Sequence, residues 1–166
     1  MPRHKNIPFY DYIHSSVFGI EDSLVSTTGL IAGVAVASGD KNFVIMAGLI
    51  AIVVESASMA AGEFISEETE VDLSFGKRQT NPILSGLIMF ISYFLAGFVP
   101  LLPIILFVLP LSLYFSIIAA AIGLFILGAI KGKLTRKSLV KSGIKVLIVG
   151  GIAAILGITV GIIFKV

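Results

Sequence analysis

The side chains best suited to metal chemistry lie in one short stretch, residues 55–72, with the sequence ESASMAAGEFISEETEVD. At about 100° per residue in a helix, one stripe of about 120° holds a methionine and four acids: Glu55, Met59, Glu63, Glu67 and Glu70. Carboxylate oxygens bind hard divalent cations, whereas a thioether binds softer ones. The mixture predicts a site for a borderline divalent metal such as Fe²⁺, with Mn²⁺, Co²⁺ and Zn²⁺ left open.

The composition is that of a membrane protein, because 57% of the residues are hydrophobic and only 13% are charged. The mean hydropathy is +1.05. An ionised carboxylate in a membrane helix costs about 2.5 to 3.5 kcal/mol on insertion scales. The acidic stripe must therefore face protein, water or a cation.

Several other classes of function are excluded by what the sequence lacks. There is no cysteine, which rules out disulfides, thiolate metal sites and iron–sulfur clusters. There is no His-x-x-x-His cluster or glycine-rich phosphate loop, and both histidines precede the first apolar segment. We expect no enzyme, no prosthetic group and no nucleic-acid partner.

Five segments meet the requirement of roughly 20 apolar residues for a transmembrane helix. They lie at about 20–39, 42–64, 83–102, 105–130 and 144–163. The predicted fold is an all-α membrane protein with five transmembrane helices. The chain divides into an N-terminal interfacial segment, residues 1–18, and a transmembrane domain, residues 19–166. The second helix has no breaker before Gly76, so it should extend beyond the membrane at about 65–76 as an acidic cytoplasmic extension.

The orientation follows from the basic residues. In a five-span arrangement, only Lys41 and Lys165 fall on one side. The other side holds Arg3, Lys5, Lys77, Arg78, Lys131, Lys133, Arg136, Lys137, Lys141 and Lys145. Because short cytoplasmic loops are rich in lysine and arginine, the N-terminus is predicted to be cytoplasmic and the C-terminus outside.

Each candidate ligand also has a simpler interpretation. Met59 could fill a gap in the core, and Glu63 could reach the membrane interface. Glu55 could form a buried hydrogen bond to one of the helix serines. Glu67 and Glu70 could belong to a solvated helix face.

A second acidic pair, Glu21 and Asp22, opens the first apolar segment in FGIEDSLVSTTGLIAGVA. These acids could bind a cation, or they could cap a helix N-terminus. The same segment holds a GxxxG spacing at Gly29 and Gly33, and the last segment holds another at Gly157 and Gly161. Either two helices or two subunits can meet at such glycines.

These motifs resemble the vacuolar iron transporter family, which also includes nodulin-21-like proteins. EDSLVSTTGLIAGVA is similar to the family's first-helix motif, and SASMAAGEFIS is similar to its Ser-Met-Ala-x-Gly-Glu-aromatic motif. The resemblance continues through AGFVPLLPIILF and LGAIKGKLTRKSLVKSGIKVLIVGGIAAILG. It therefore covers nearly all of residues 19–163.

The resemblance implies a homodimeric five-helix transporter in a lipid membrane. It implies that Fe²⁺, and often Mn²⁺, leaves the cytosol in exchange for protons along a path near the subunit interface. The family's transport carboxylate falls on Asp22, its methionine on Met59 and its second-helix glutamate on Glu63. The metal is the transported substrate and not a cofactor.

The chain departs from the family pattern at three places. Ser23 stands where the resemblance predicts glycine, and Glu55 stands where the family usually has a small residue. The long cytosolic helical insert of plant and fungal relatives is missing, so Glu67 and Glu70 are expected at most to attract cations. The sequence thus resembles a short prokaryotic member, which places it in a cell membrane. The alternative function is a non-transporting membrane scaffold or assembly subunit.

Overall fold

The computed structural model describes residues 8–75 and 78–165, and the regular structure in this part of the chain is helical. Five helices follow one another: α1 (Pro8–Ser38), α2 (Lys41–Leu73), α3 (Pro82–Leu106), α4 (Leu111–Leu134) and α5 (Leu139–Ile163). Each is long and apolar enough to cross a membrane. The predicted all-α membrane protein with five transmembrane helices is confirmed.

The first helix begins well before the predicted span. α1 begins at Pro8, so part of the segment assigned to an interfacial N-terminus forms its first turns. Asp11, Ser15 and Glu21 lower the hydropathy there, but such residues are compatible with a helix when neighbouring helices satisfy them. The interfacial position of residues 1–18 stays a prediction.

The boundary between the third and fourth helices also differs from the prediction. Pro100 and Pro103 lie inside α3, which continues to Leu106, and Pro110 lies in the turn before α4. Prolines are tolerated in membrane helices where neighbouring helices supply hydrogen bonds. Ser116 on α4 also donates to the Pro100 carbonyl over 2.6 Å and so joins α3 to α4 at this level. The predicted end of the third helix at 102 and the predicted start of the fourth helix at 105 were therefore wrong.

Side-chain caps fix the start of three helices. Asp40 accepts hydrogen bonds from the first backbone amides of α2, and Asn81 does the same for α3. Ser138 accepts from Lys141 N at the start of α5. Each cap satisfies an amide that has no partner inside its own helix. Gly39, at φ +64°, allows the short reversal between α1 and α2.

α1 lies at the centre of the bundle and contacts all four other helices. A buried cluster of Leu24, Ala96, Leu124 and Val146 joins it to α3, α4 and α5. Within the described chain, α2 and α5 do not contact each other. One side of α1 is therefore left open between these two helices.

The two GxxxG motifs meet each other inside one chain. A Cβ on Gly33 would lie 2.6 Å from the Gly157 carbonyl oxygen, and one on Gly161 would overlap the Gly33 carbonyl. Only glycine allows the two backbones to approach so closely. Of the two possibilities that the sequence left open, two helices of the same chain meet here.

α2 continues past its apolar part to Leu73, and the cytoplasmic position of this extension stays a prediction. The basic residues also gather as predicted. Seven of the ten lie towards the end of the bundle that holds the α2–α3 and α4–α5 turns: Arg78, Lys131, Lys133, Arg136, Lys137, Lys141 and Lys145. Arg3, Lys5 and Lys77 lie outside the described residues. We call this the basic end.

Candidate metal pathway between the first two helices

One face of α1 carries the polar side chains that meet α2. Ser15, Asp22 and Ser26 are separated by seven and four residues, which places them within about 40° of each other on a helix. Their neighbour Glu21 points round the helix to α4 and forms an ion pair with Lys131 at 3.7 Å. Glu21 and Asp22 therefore lie on different faces of α1.

Two hydrogen bonds set the register of α1 against α2. Ser15 donates to Glu63 over 2.5 Å, and Ser26 donates to Glu55 over 3.1 Å. Because the two helices run in opposite directions, Asp22 comes at a level between these bonds. Asp22 is within electrostatic range of Glu55.

Met59 lies on the same stripe of α2, one turn from Glu55 and one turn from Glu63. The register places it near the level of Asp22. Helix spacing and the two hydrogen bonds thus put Asp22, Glu55, Met59 and Glu63 at successive levels along α1 and α2. We call these residues, with Ser15, Ser26 and Tyr93, the polar track.

Tyr93 is the residue of the polar track that the sequence did not reveal. Its side chain is fully buried. Its hydroxyl donates to Glu55 and lies 2.6 Å from Ser26 Oγ. The alternative interpretation of Glu55 expected a buried hydrogen bond to a helix serine; Ser26 does donate to Glu55, but the bond is only partly buried, and Tyr93 adds a second donor.

The helix-cap interpretation of Asp22 is wrong. α1 begins at Pro8, and the acid in its first turn is Asp11. Asp22 lies far inside the helix, where the backbone amides already have partners. Its carboxylate must therefore be accommodated by side chains, water or a cation.

The four candidate ligands in the membrane part are partly exposed, not sealed in the core. Within the described residues, no three His, Cys, Asp or Glu side chains are grouped so that they could hold one metal ion. The candidate ligands of one chain are therefore spaced along the two helices and are not grouped.

Glu67 and Glu70, the outer members of the acidic stripe, have a different environment. Arg78 forms ion pairs with Asp11 at 3.0 Å, with Glu67 at 3.2 Å and with Glu70. Glu67 is buried and also accepts a hydrogen bond from Thr80. The structure thus places these two acids in an internal ion-pair cluster.

The two serines of the polar track could be identified from the sequence, whereas Tyr93 and Arg78 could not. Ser15 and Ser26 share the helical face of Asp22, so periodicity alone could identify them. Tyr93 and Arg78 come from α3 and from the turn before it. Only the packing of α3 against α1 and α2 brings them to the acids.

Comparisons with known proteins agree with this architecture. A family model described as the VIT family matches residues 13–80 and 68–162. "Vacuolar iron transporter homolog 4" of Arabidopsis thaliana is 30% identical over 159 residues, covering 86% of this chain and 78% of the relative. "Vacuolar iron transporter homolog 2" of Oryza sativa subsp. japonica is 25% identical over 164 residues, covering 87% and 86%. The chain belongs to the VIT family.

Proposed function

We propose that the protein transports a divalent metal, Fe²⁺ or Mn²⁺, out of the cytosol in exchange for protons. The polar track is the observation that carries this proposal, because charged side chains inside membrane helices mark ion pathways. Membership of the VIT family supports it, as do the relatives named as vacuolar iron transporter homologs.

The order of residues along the track suggests a route. A metal entering from the basic end meets Glu63 first, then Met59 and Asp22, and then Glu55. A carboxylate can hold a metal or a proton but not both at full strength, so metal release and proton uptake are coupled at the same groups. The basic end faces the cytosol in this proposal, because lysines and arginines concentrate there.

A homodimer would cover the open side of α1 next to the polar track. The side of α1 between α2 and α5 holds two apolar grooves, of about 520 Å³ and 420 Å³, which share Leu30. Ser26 lines the first groove and Glu55 lines the second. A second copy seated on this side would shield both polar groups from lipid and add its own ligands. The glycine motifs no longer support dimerisation, because they are used within the chain.

Cell membranes of prokaryotes are the proposed location. The reason is the resemblance to short members of the family. In this chain only residues 67–81 separate the second and third spans. The chain is a multi-pass membrane protein, and the kind of membrane belongs to the proposal.

Flux measurements in proteoliposomes test the proposed function. Purified protein is reconstituted with a trapped metal-sensitive dye and, in a parallel preparation, a trapped pH dye. We expect Fe²⁺ or Mn²⁺ flux that requires the protein, with proton movement in the opposite direction. A non-transporting scaffold would give neither signal, and metal flux without a pH response would reduce the proposal to a channel or uniporter.

The thioether gives a test of metal preference. Met59→Leu keeps the size and apolarity of the side chain and removes the sulfur. Because sulfur favours the softer ion, Fe²⁺ flux should fall more than Mn²⁺ flux when both are measured in the same vesicles. Equal losses for the two metals would remove Met59 from the ligand set.

A further inference from the structure

The charges of this chain are separated along its sequence. All ten acidic residues lie within residues 1–72, and none occurs in α3, α4 or α5. The segment from Lys131 to Lys145 nevertheless holds six basic residues. Within the described chain, Lys131 alone among these six forms an ion pair, with Glu21. The α4–α5 turn therefore carries a concentrated positive charge that the protein itself leaves largely uncompensated.

The N-terminus of α5 adds to the positive charge of this turn. Lys137 precedes its N-cap residue, Ser138, and Lys141 lies in its first turn. A helix N-terminus already carries a partial positive charge, so lysines are unfavourable there and anions are favourable. No carboxylate of the chain is available in α3 to α5 to provide that negative charge.

A small cavity of about 160 Å³, which we call the polar cavity because of its charged lining residues, lies among these residues. Its lining consists of Glu21, Lys131, Thr135, Lys137, Ser142 and Lys145, together with Val146 and Val149. The ion pair with Lys131 engages Glu21. Lys137 and Lys145 remain as the cavity's unneutralised charges, and Ser142 offers a hydroxyl donor.

An apolar groove of about 490 Å³ shares Glu21, Lys131 and Thr135 with the polar cavity. It runs between the beginning of α1 and the end of α4, and its walls include Phe9, Ile13 and Phe18. Phe9 and Phe18 are exposed. A cationic cavity and an apolar groove thus adjoin each other at one end of a membrane bundle.

We propose that the polar cavity and the apolar groove together bind one anionic phospholipid from the leaflet at the basic end. The headgroup phosphate occupies the polar cavity between Lys137 and Lys145, and an acyl chain lies in the apolar groove. Charge complementarity identifies the occupant, because basic pockets between membrane helices attract anionic headgroups. A zwitterionic lipid would not compensate the charge, and free phosphate would leave the apolar groove unfilled.

Lipid binding by the full-length protein tests the proposal. The delipidated protein in neutral detergent is titrated with phosphatidylglycerol, phosphatidylcholine or inorganic phosphate, and retention is followed by native mass spectrometry with the thermal midpoint as a second readout. We expect phosphatidylglycerol to be retained with about 1:1 stoichiometry and at least about tenfold more tightly than phosphatidylcholine. Equal retention of the two lipids, or equal stabilisation by inorganic phosphate, would overturn the proposal.

Two double variants of equal charge separate a built site from general surface attraction. Lys137→Gln with Lys145→Gln removes the cavity's charges and should weaken phosphatidylglycerol binding roughly tenfold or more. Lys133→Gln with Lys141→Gln removes the same charge from the same segment, but neither residue lines the cavity or the groove. This control should retain the lipid, and an equal loss in both variants would show diffuse attraction. The readouts do not depend on transport, so they stand apart from the proposed function.

Discussion

The two halves of the acidic stripe on α2 illustrate how neighbouring carboxylates acquire different roles. Glu55 and Glu63 receive hydrogen bonds from neutral hydroxyl groups of α1 and α3. Glu67 and Glu70 instead share the guanidinium of Arg78. Neutral donors hold a carboxylate in place but leave its charge uncompensated, whereas an arginine compensates it. Among the described residues the inner pair thus has no cationic partner, whereas the outer pair has Arg78.

The inner and outer acids differ in their partners because they lie at different levels of the bundle. The inner acids face a neighbouring membrane helix, and among the described residues neither of them forms an ion pair. The outer acids extend to the α2–α3 turn, where Arg78 joins Asp11 of α1 to α2. We propose that the inner acids take part in transport and that the outer ones stabilise the fold.

The largest effect is expected at Asp22. Asp22→Asn keeps the shape of the side chain and removes its charge, so metal flux in proteoliposomes should fall by at least about tenfold. Glu63→Gln should behave in the same way. Glu21→Gln is the matched control, because Glu21 is adjacent in sequence but pairs with Lys131 on the α4 side. Normal flux in Asp22→Asn would break the assignment of transport to the inner acids.

The next largest effect concerns stability. Arg78→Gln should lower the free energy of unfolding by roughly 2 to 4 kcal/mol, because buried Glu67 then loses its counter-charge. Denaturation in mixed detergent micelles measures the change. Adding Glu67→Gln to this variant should recover part of the loss, as expected for a coupled pair. Arg136→Gln, at the exposed α4–α5 turn, is the control. If the two arginine variants lost equal stability, the result would contradict a stabilising role for the ion pairs of Arg78.

A smaller loss is expected at Tyr93. Tyr93→Phe removes only the hydroxyl group, which leaves Glu55 with Ser26 as its remaining side-chain donor. Stability should fall by about 1 to 3 kcal/mol, the cost of removing one donor from a partly buried charged acceptor. Tyr114→Phe changes an exposed tyrosine in the same way and should have little effect. Identical results for the two variants would show that the Tyr93 hydroxyl contributes nothing.

The smallest effect is expected at Glu70. Its side chain is 52% exposed although it contacts Arg78, and exposed ion pairs contribute at most about 1 kcal/mol. Glu70→Gln should therefore cost less stability than Arg78→Gln and should leave maximal metal flux unchanged. Glu68→Gln, on another face of α2, provides the baseline. A tenfold fall in flux for Glu70→Gln would bring the outer acids into the transport path.

The sequence by itself determined the architecture and the principal candidates. Long apolar segments can satisfy their backbone groups in a membrane only as helices, so five such segments specify five helices. The spacing of Glu55, Met59 and Glu63 placed them on one face, because helix periodicity is a local property. The extension of α2 to Leu73 followed in the same way from the lack of a breaker.

Only the tertiary structure decided the partners of those candidates. Tyr93 and Arg78 are distant in sequence from the acids that they contact, and neither lies at a spacing that would indicate it. The meeting of Gly33 with Gly157 also depends on which helices become neighbours. Local periodicity fixes which face a side chain occupies, but the element opposite that face depends on the packing of the whole bundle. For this reason the sequence located the acids, and the fold distinguished those held by hydroxyl groups from those compensated by arginine.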